Sequence, residues 1–200
     1  MTHRAASVAA AETALRALFE PTPLLRNDHL SDRYGADIWL KREDLTPVRS
    51  YKLRGAFNAM RHAKGGPGVH FVCASAGNHA QGVAYACRTM GIAGKIFVPE
   101  PTPMQKRDRI HVHGGDHVEL VVVGANFDEA AAAAHADAAE RHATFIEPFD
   151  ARDTIIGQGT VAAEVLAQLS AKGASVDTIV VPVGGGGLIS GITSYMADMA

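Results

Sequence analysis

The sequence predicts an α/β fold built on a largely parallel sheet. Short apolar runs rich in β-branched and aromatic residues recur along the chain, each followed by a Gly/Ser/Pro turn and then a helical pattern. Strands alternating with helices let parallel neighbours be joined by helical crossovers, which is the signature of this fold class. A hydrophobic content of 47% over 200 residues is ample to bury the layers that such a fold requires.

Taken in order, Ala9, Leu15, Leu18 and Phe19 fit a loose amphipathic helix at the N-terminus. This alanine-rich start carries Arg4 before any acid, as transit peptides do, but Glu12 breaks the acid-poor pattern and an ordinary first helix is the better reading. Strands are predicted at 36–41, 69–74, 95–98, 117–123, 144–147 and 177–183. Between them, Leu53, Ala56, Phe57 and Met60 keep the i, i+3, i+4, i+7 spacing of a helix face, as do Ala80, Val83, Ala84 and Cys87. Thr102 before Pro103 reads as an N-cap with proline at the first helical position. Asn126 opens an alanine-rich helix over 126–142.

Net charge of −2 and a pI near 6.5 give no electrostatic basis for binding nucleic acid or an anionic membrane surface. No apolar run approaches the ~20 residues of a membrane span. Cys73 and Cys87 both lie in apolar segments, so a disulfide framework is not indicated and a reducing cytoplasm fits.

In open parallel sheets, ligands collect at the loops that leave the carboxyl ends of the strands. Three loops carry residues suited to chemistry. In 41–60, Ser50 is a plausible N-cap, which places Lys52 in the first turn of the next helix. The positive end of the helix dipole, together with burial beside Tyr51 and Leu53, would depress its pKa and favour the neutral amine that Schiff-base chemistry needs. A solvated helix lysine is the plainer reading of this residue alone. In 71–91, an apolar strand runs into Ser75-Ala76-Gly77-Asn78, where the amides of a starting helix can hold a carboxylate or phosphate. A simple capping turn would look the same. In 176–192, four consecutive glycines, Gly184 to Gly187, stand between a strand and a helix. Their conformational cost is hard to justify unless the amides form a nest around a phosphate.

Two patterns are set aside. Gly157-Gln158-Gly159-Thr160-Val161-Ala162 matches a dinucleotide fingerprint, but no strand runs directly into it. His111, His113 and His117 lie close together without a Cys, Asp or Glu to complete a metal set, and read as surface or turn residues.

Together these segments resemble the pyridoxal-phosphate (PLP) enzymes of fold type II, with the tryptophan synthase β-like architecture, and specifically the threonine dehydratase branch. The resemblance rests on PTPL at 21–24, LKRED at 40–44, SYKLRGA at 50–56, SAGNHAQG at 75–82, KRDRI at 106–110 and HGG at 113–115. It continues through PFD at 148–150, GQGT at 157–160 and PVGGGGLISGI at 182–192. It implies that Lys52 carries PLP as a Schiff base, that Asn78 hydrogen-bonds the cofactor's 3′-oxygen, and that Gly184, Gly185, Gly186 and Gly187 hold its phosphate. Ser75, Ala76 and Gly77 would line the substrate-carboxylate site, and Phe149 would lie near the cofactor ring. Related cysteine synthases differ where Leu53 and His79 stand here, which favours elimination over β-replacement. Serine racemases carry a second serine in place of Ala76 as the base on the opposite face.

The implied reaction converts L-threonine to 2-oxobutanoate and ammonia, and L-serine to pyruvate, as in isoleucine biosynthesis. In it, Lys52 removes the α-proton and the β-hydroxyl departs. The alternatives are a serine dehydratase or racemase, or a PLP-binding but inactive fragment. The family's catalytic core is longer than this chain. The resemblance therefore implies a small domain over 51–152 and an incomplete large domain formed by 1–50 and 153–200, in an enzyme that is a homo-oligomer when complete.

Overall fold

The computed structural model describes residues 3–63 and 70–199. Helix α1 (His3–Leu15) leads to strand β1 (Leu24–Arg26), helix α2 (Asp28–Tyr34) and strand β2 (Trp39–Lys41). Helix α3 (Lys52–His62) follows, then β3 (Phe71–Ala74), α4 (Asn78–Met90), β4 (Gly94–Val98), α5 (Met104–Gly114), β5 (Val118–Val122), α6 (Phe127–Glu140) and β6 (Thr144–Phe145). Two helices close the chain, α7 (Arg152–Ser170) and α8 (Gly187–Met199).

The central sheet has the order β5-β4-β3-β6, and every pair in it is parallel. Its strands are short and apolar: all four residues of β3 are buried, because helices cover both faces. On one face, α3 and α4 deliver the predicted stripes. Leu53, Ala56, Met60, Ala80, Val83, Ala84 and Cys87 pack with Phe71, Cys73 and Ile96. On the other face, Ala134 and Ala138 of α6 meet Val72, Ala74 and Phe97. A third cluster joins α1, α7 and α8 through Val8, Ala11, Val161, Leu188 and Ile192. Each large side chain fully removed from water in these layers contributes roughly 1.5–3 kcal/mol.

Several local expectations need revision. β1 and β2 form a separate antiparallel ribbon, with Leu25 opposite Leu40. Three-residue strands are too short to show a period, so β1 left no signal in the sequence. Residues 177–183 form no strand. Ile179 and Val181 pack against the α1/α7/α8 cluster while Val180 faces outward, so the side chains alternate over 179–181; Val183 is also exposed, which breaks the alternation. However, no neighbouring strand among the described residues completes a ladder. Val69 lies outside the described residues, and β6 ends at Phe145. Thr102 does not cap α5. That helix begins at Met104, and the Thr102 carbonyl instead accepts from Arg107 Nε at 2.9 Å. Asn126 caps α6 as its sequence suggests, accepting from Glu129 N at 3.1 Å.

The 157–162 pattern sits in the interior of α7, which disposes of a nucleotide loop there. Its glycines serve helix packing. A Cβ on Gly157 would stand 2.5 Å from the Arg54 carbonyl oxygen of α3. One on Gly191 of α8 would stand 2.5 Å from the Ile155 carbonyl oxygen and 2.6 Å from Gly159 N of α7. Helix α7 therefore touches α3 and α8 backbone to backbone, which only hydrogen in place of a side chain allows.

Candidate active site

Lys52 is the first residue of α3, and the chain reaches it through a tight turn. Arg49 adopts the left-handed conformation (φ 56°), where a non-glycine residue carries strain. Thr46 Oγ1 donates to the Ser50 carbonyl at 3.0 Å and accepts from Ser50 N at 2.8 Å. Ser50 Oγ in turn accepts from Lys52 N at 3.2 Å, although the N-cap of α3 is Tyr51, one residue later than the sequence suggests. The Lys52 Nζ donates to the Pro148 carbonyl at 2.7 Å and lies 5.6 Å from the Tyr51 ring centroid and 6.0 Å from that of Phe149. Burial pushes its pKa below the ordinary lysine value, so a larger share of the amine is neutral and nucleophilic.

Phe149 joins this amine to the glycine loop. A Cβ on Gly185 would come within 2.4 Å of the Phe149 ring, and one on Gly187 within 2.4 Å of the Phe149 carbonyl oxygen. Among the described residues, no backbone hydrogen bond takes the amides of Gly184, Gly185 or Gly186. They lead directly into the N-terminus of α8, where the helix dipole favours an anion. The structure thus brings Lys52, Phe149 and the glycine loop together.

The Ser75–Asn78 loop starts α4. Ser75 Oγ accepts from Gly77 N at 3.2 Å and shapes the turn. Ala76, Gly77 and Asn78 line an open cavity of about 360 Å³ with Gln81 of α4 and Gln105, Lys106 and Arg109 of α5. Neither Lys52 nor the glycine loop borders that cavity. The connection runs through α4, where a Cβ on Gly82 would lie 3.2–3.3 Å from the Lys52 and Leu53 backbone.

Two features have environments that the sequence did not reveal. The first is His79, 4% exposed, whose Nε2 donates to the Ile146 carbonyl at 2.9 Å. Burial, assisted by the nearby Lys52 charge, depresses its pKa to about 4. The imidazole is therefore neutral, and its buried Nδ1 lacks a partner among the described residues.

The second is an ion network behind Lys52. Arg54, fully buried, donates through Nε to Glu43 at 2.7 Å and through Nη1 to Glu164 at 2.9 Å and Thr160 at 3.0 Å. Its Nη2 reaches Glu43 at 2.7 Å and Glu164 at 2.9 Å. Lys41 Nζ also donates to Glu164, at 2.6 Å, and to the Thr22 carbonyl, at 2.6 Å. Burial alone would raise the Glu164 pKa, but the Arg54 and Lys41 interactions outweigh it and hold the carboxyl at about 2. These partners lie up to 123 residues apart, beyond the reach of any local pattern. Among the described residues, no His/Cys/Asp/Glu group could hold a metal.

Residues 15–200 match the family model described as pyridoxal-phosphate dependent enzyme. The chain belongs to this PLP-dependent family. It is 58% identical, over 98% of its own length, to the Corynebacterium glutamicum protein named L-threonine dehydratase biosynthetic IlvA. It spans 45% of that relative's length. Among solved structures, the processed threonine deaminase isoform 2 of Solanum lycopersicum superposes with a TM-score of 0.87 at 36% identity, covering 100% of this chain and 57% of that one. Maize serine racemase gives 0.87 at 29% identity, covering 97% and 57%. The fold is that of the fold type II PLP enzymes. The residues present suit such a cofactor: a half-buried lysine amine of depressed pKa stands beside a glycine loop with free amides, across one aromatic ring.

Proposed function

We propose that this chain supplies the lysine and phosphate-binding part of an enzyme that dehydrates and deaminates L-threonine to 2-oxobutanoate and ammonia, and L-serine to pyruvate. The observation that carries this reading is the meeting of the Lys52 amine and the glycine loop on Phe149, in a chain 58% identical to a named threonine dehydratase. Lys52 is the residue for cofactor attachment, because Lys41 is committed to Glu164 and the Thr22 carbonyl. The amides of Gly184 to Gly187 hold the phosphate at the α8 N-terminus. Asn78 is assigned to the ring hydroxyl, and Phe149 flanks the ring. Ser75, Ala76 and Gly77 are assigned to line the substrate-carboxylate site at the start of α4; Ser75 N is taken by the Phe97 carbonyl and Gly77 N by Ser75 Oγ, which leaves the Ala76 amide for the carboxylate. When bound, PLP supplies the electron sink that stores negative charge at the substrate Cα. Lys52 Nζ is assigned to take the α-proton, and the departing β-hydroxyl would be protonated with help from the same amine or from the cofactor phosphate.

A racemase needs a second acid–base group on the opposite face, and Ala76 offers none. This favours elimination, although a serine racemase shares the fold. The domain division belongs to the same proposal. Residues 51–152 contain the whole parallel sheet, while α1, α7 and α8 build their own cluster. The assembled enzyme is a cytoplasmic homo-oligomer acting on a small amino acid; among the described residues, no helix is long and apolar enough to cross a membrane.

The test uses the holoenzyme that carries this segment. L-Threonine should yield 2-oxobutanoate, L-serine should yield pyruvate, and borohydride reduction followed by peptide mapping should place the cofactor on Lys52. Lys52→Ala should lose both the cofactor absorbance and turnover. Mapping of the cofactor to Lys41 would overturn the assignment.

A further inference from the structure

Strand β6 is two residues long, so the sheet gives the segment after it little support. Thr144 N donates to the His70 carbonyl at 3.0 Å and Ile146 N to the Val72 carbonyl at 2.8 Å, and there the pairing ends. Yet this segment seats much of the candidate site. The Pro148 carbonyl accepts from Lys52 Nζ, and the Phe149 ring neighbours both that amine and Gly185. Two side chains pin it from outside the sheet. Thr154 Oγ1 donates to the Glu147 carbonyl at 3.1 Å, and His79 Nε2 donates to the Ile146 carbonyl at 2.9 Å. Among the described residues, no backbone N–H takes the Ile146 carbonyl, so the imidazole is its partner. A carbonyl oxygen only accepts, which fixes the ring proton on Nε2 and leaves Nδ1 bare. That Nδ1 is buried without a partner, and burying it carries a desolvation cost. An apolar side chain would fill the same space without that cost, so packing does not explain a histidine only 4% exposed; its donor does. His79 also follows Asn78 directly in the first turn of α4. One side chain thus ties the loop assigned to the substrate carboxylate and ring hydroxyl to the segment that seats Lys52.

We propose that His79 is a positioning residue: its Nε2–H bond to Ile146 fixes the start of α4 against the 146–149 segment, and with it the placement of Lys52 Nζ and Phe149 relative to Asn78. The imidazole acts through Pro148 and Phe149 rather than on the substrate itself. The inference rests on the function proposed above and assigns a part in it to a buried group that the reaction does not otherwise use.

The experiment compares three variants of the holoenzyme that carries this segment. His79→Leu removes the donor, His79→Gln keeps an N–H of similar reach, and Leu169→Ala opens a cavity in a cluster that contains none of the site residues. His79→Leu should lower kcat for L-threonine roughly 100-fold, the scale of a shift of about 1 Å, with KM within about threefold because Ser75 still shapes its own turn. The visible circular dichroism of the bound cofactor, which reports how its seat is arranged, should fall with it. His79→Gln should restore kcat to within about threefold of the parent, since the bond to Ile146 is remade. Leu169→Ala should melt earlier yet keep the parent's kcat and dichroism. Parental kcat and dichroism in His79→Leu, a His79→Gln protein as impaired as His79→Leu, or an equal loss in Leu169→Ala overturns the assignment. A direct measurement covers the case in which His79→Leu does not fold. Nitrogen NMR of the histidine-labelled parent should show His79 neutral with its proton on Nε2, and a proton on Nδ1 overturns the bond whatever the variants do. A parent without a cofactor spectrum would instead overturn the function proposed above, with the ring proton of His79 still deciding the bond.

Discussion

Replacing Arg54 by methionine removes a fully buried guanidinium and keeps most of its volume. Glu164, 1% exposed, would lose both of its bonds to Arg54 and retain Lys41 and Arg16. Glu43 would lose its two contacts with the same group. Breaking one side of a buried ion pair costs about 3–5 kcal/mol, because the remaining charge stays desolvated. An independent route gives a similar magnitude. The gap between the ordinary carboxyl value of 4.5 and the Glu164 pKa of about 2 corresponds to roughly 3 kcal/mol of native-state preference for the ionised form. For a unit of this size, each kcal/mol shifts Tm by about 2–4 °C, so the loss should be roughly 10 °C. Thermal unfolding of the holoenzyme followed by circular dichroism measures it. Adding Glu164→Gln should cost less than the two single effects combined, because the orphaned charge is then gone. Since the Glu164 pKa is depressed, the stabilisation is complete above about pH 4.5 and is lost as pH falls toward about 2. An Arg54→Met protein within 1 kcal/mol of the parent would refute the argument that this network supports the Lys52 helix.

Three further outcomes are expected. The His79 pKa is lowered from 6.5 to about 4, so the native state resists protonation; its stabilisation is complete above pH 6.5 and lost as pH falls toward 4. Stability should therefore drop by about 2 kcal/mol between pH 6.5 and pH 5, and the drop should vanish in His79→Gln; equal slopes for the two proteins would contradict this. Gly187→Ala places a methyl group 2.4 Å from the Phe149 carbonyl oxygen, which forces the phosphate loop and Lys52 apart; a shift of about 1 Å costs roughly 100-fold in turnover, and unaltered kinetics would count against the proposed loop geometry. Cys73 and Cys87 are buried, with thiol pKa values pushed upward, that of Cys87 to about 12. Neither should react with iodoacetamide until urea is added, and rapid labelling of the native protein would show that the sheet opens readily.

What the sequence made legible is local and periodic. The stripes of α3 and α4 follow from spacing, and the cap of α6 follows from Asn126 with Glu129 three residues on. Lys52 and the glycine loop could be marked as unusual one by one, but their meeting at Phe149 depends on a chain reversal that no window of residues contains. Arg54 illustrates the limit most sharply. In sequence it is a polar residue beside Leu53, indistinguishable from a solvated arginine. Its burial follows from Glu164, 110 residues away, which removes the cost of desolvation. Residues 177–183 show the converse. Their apolar, β-branched run reads as a strand, but a strand also needs a hydrogen-bonding neighbour, which composition does not supply.

The backbone contacts of α7 also bear on how this catalytic scaffold can diversify. One helix, pressed against α3 at Gly157 and against α8 at Gly191, acts as a gauge block between the reactive amine and the phosphate cradle. At these two glycine contacts main chain meets main chain, so no rotamer change there can adjust the spacing by small steps. Side chains can vary more freely at the cavity beside the Ser75–Asn78 loop, whose α5 side is lined by Gln105, Lys106 and Arg109. A directed-evolution library is best concentrated there, with the glycine seams of α7 held constant.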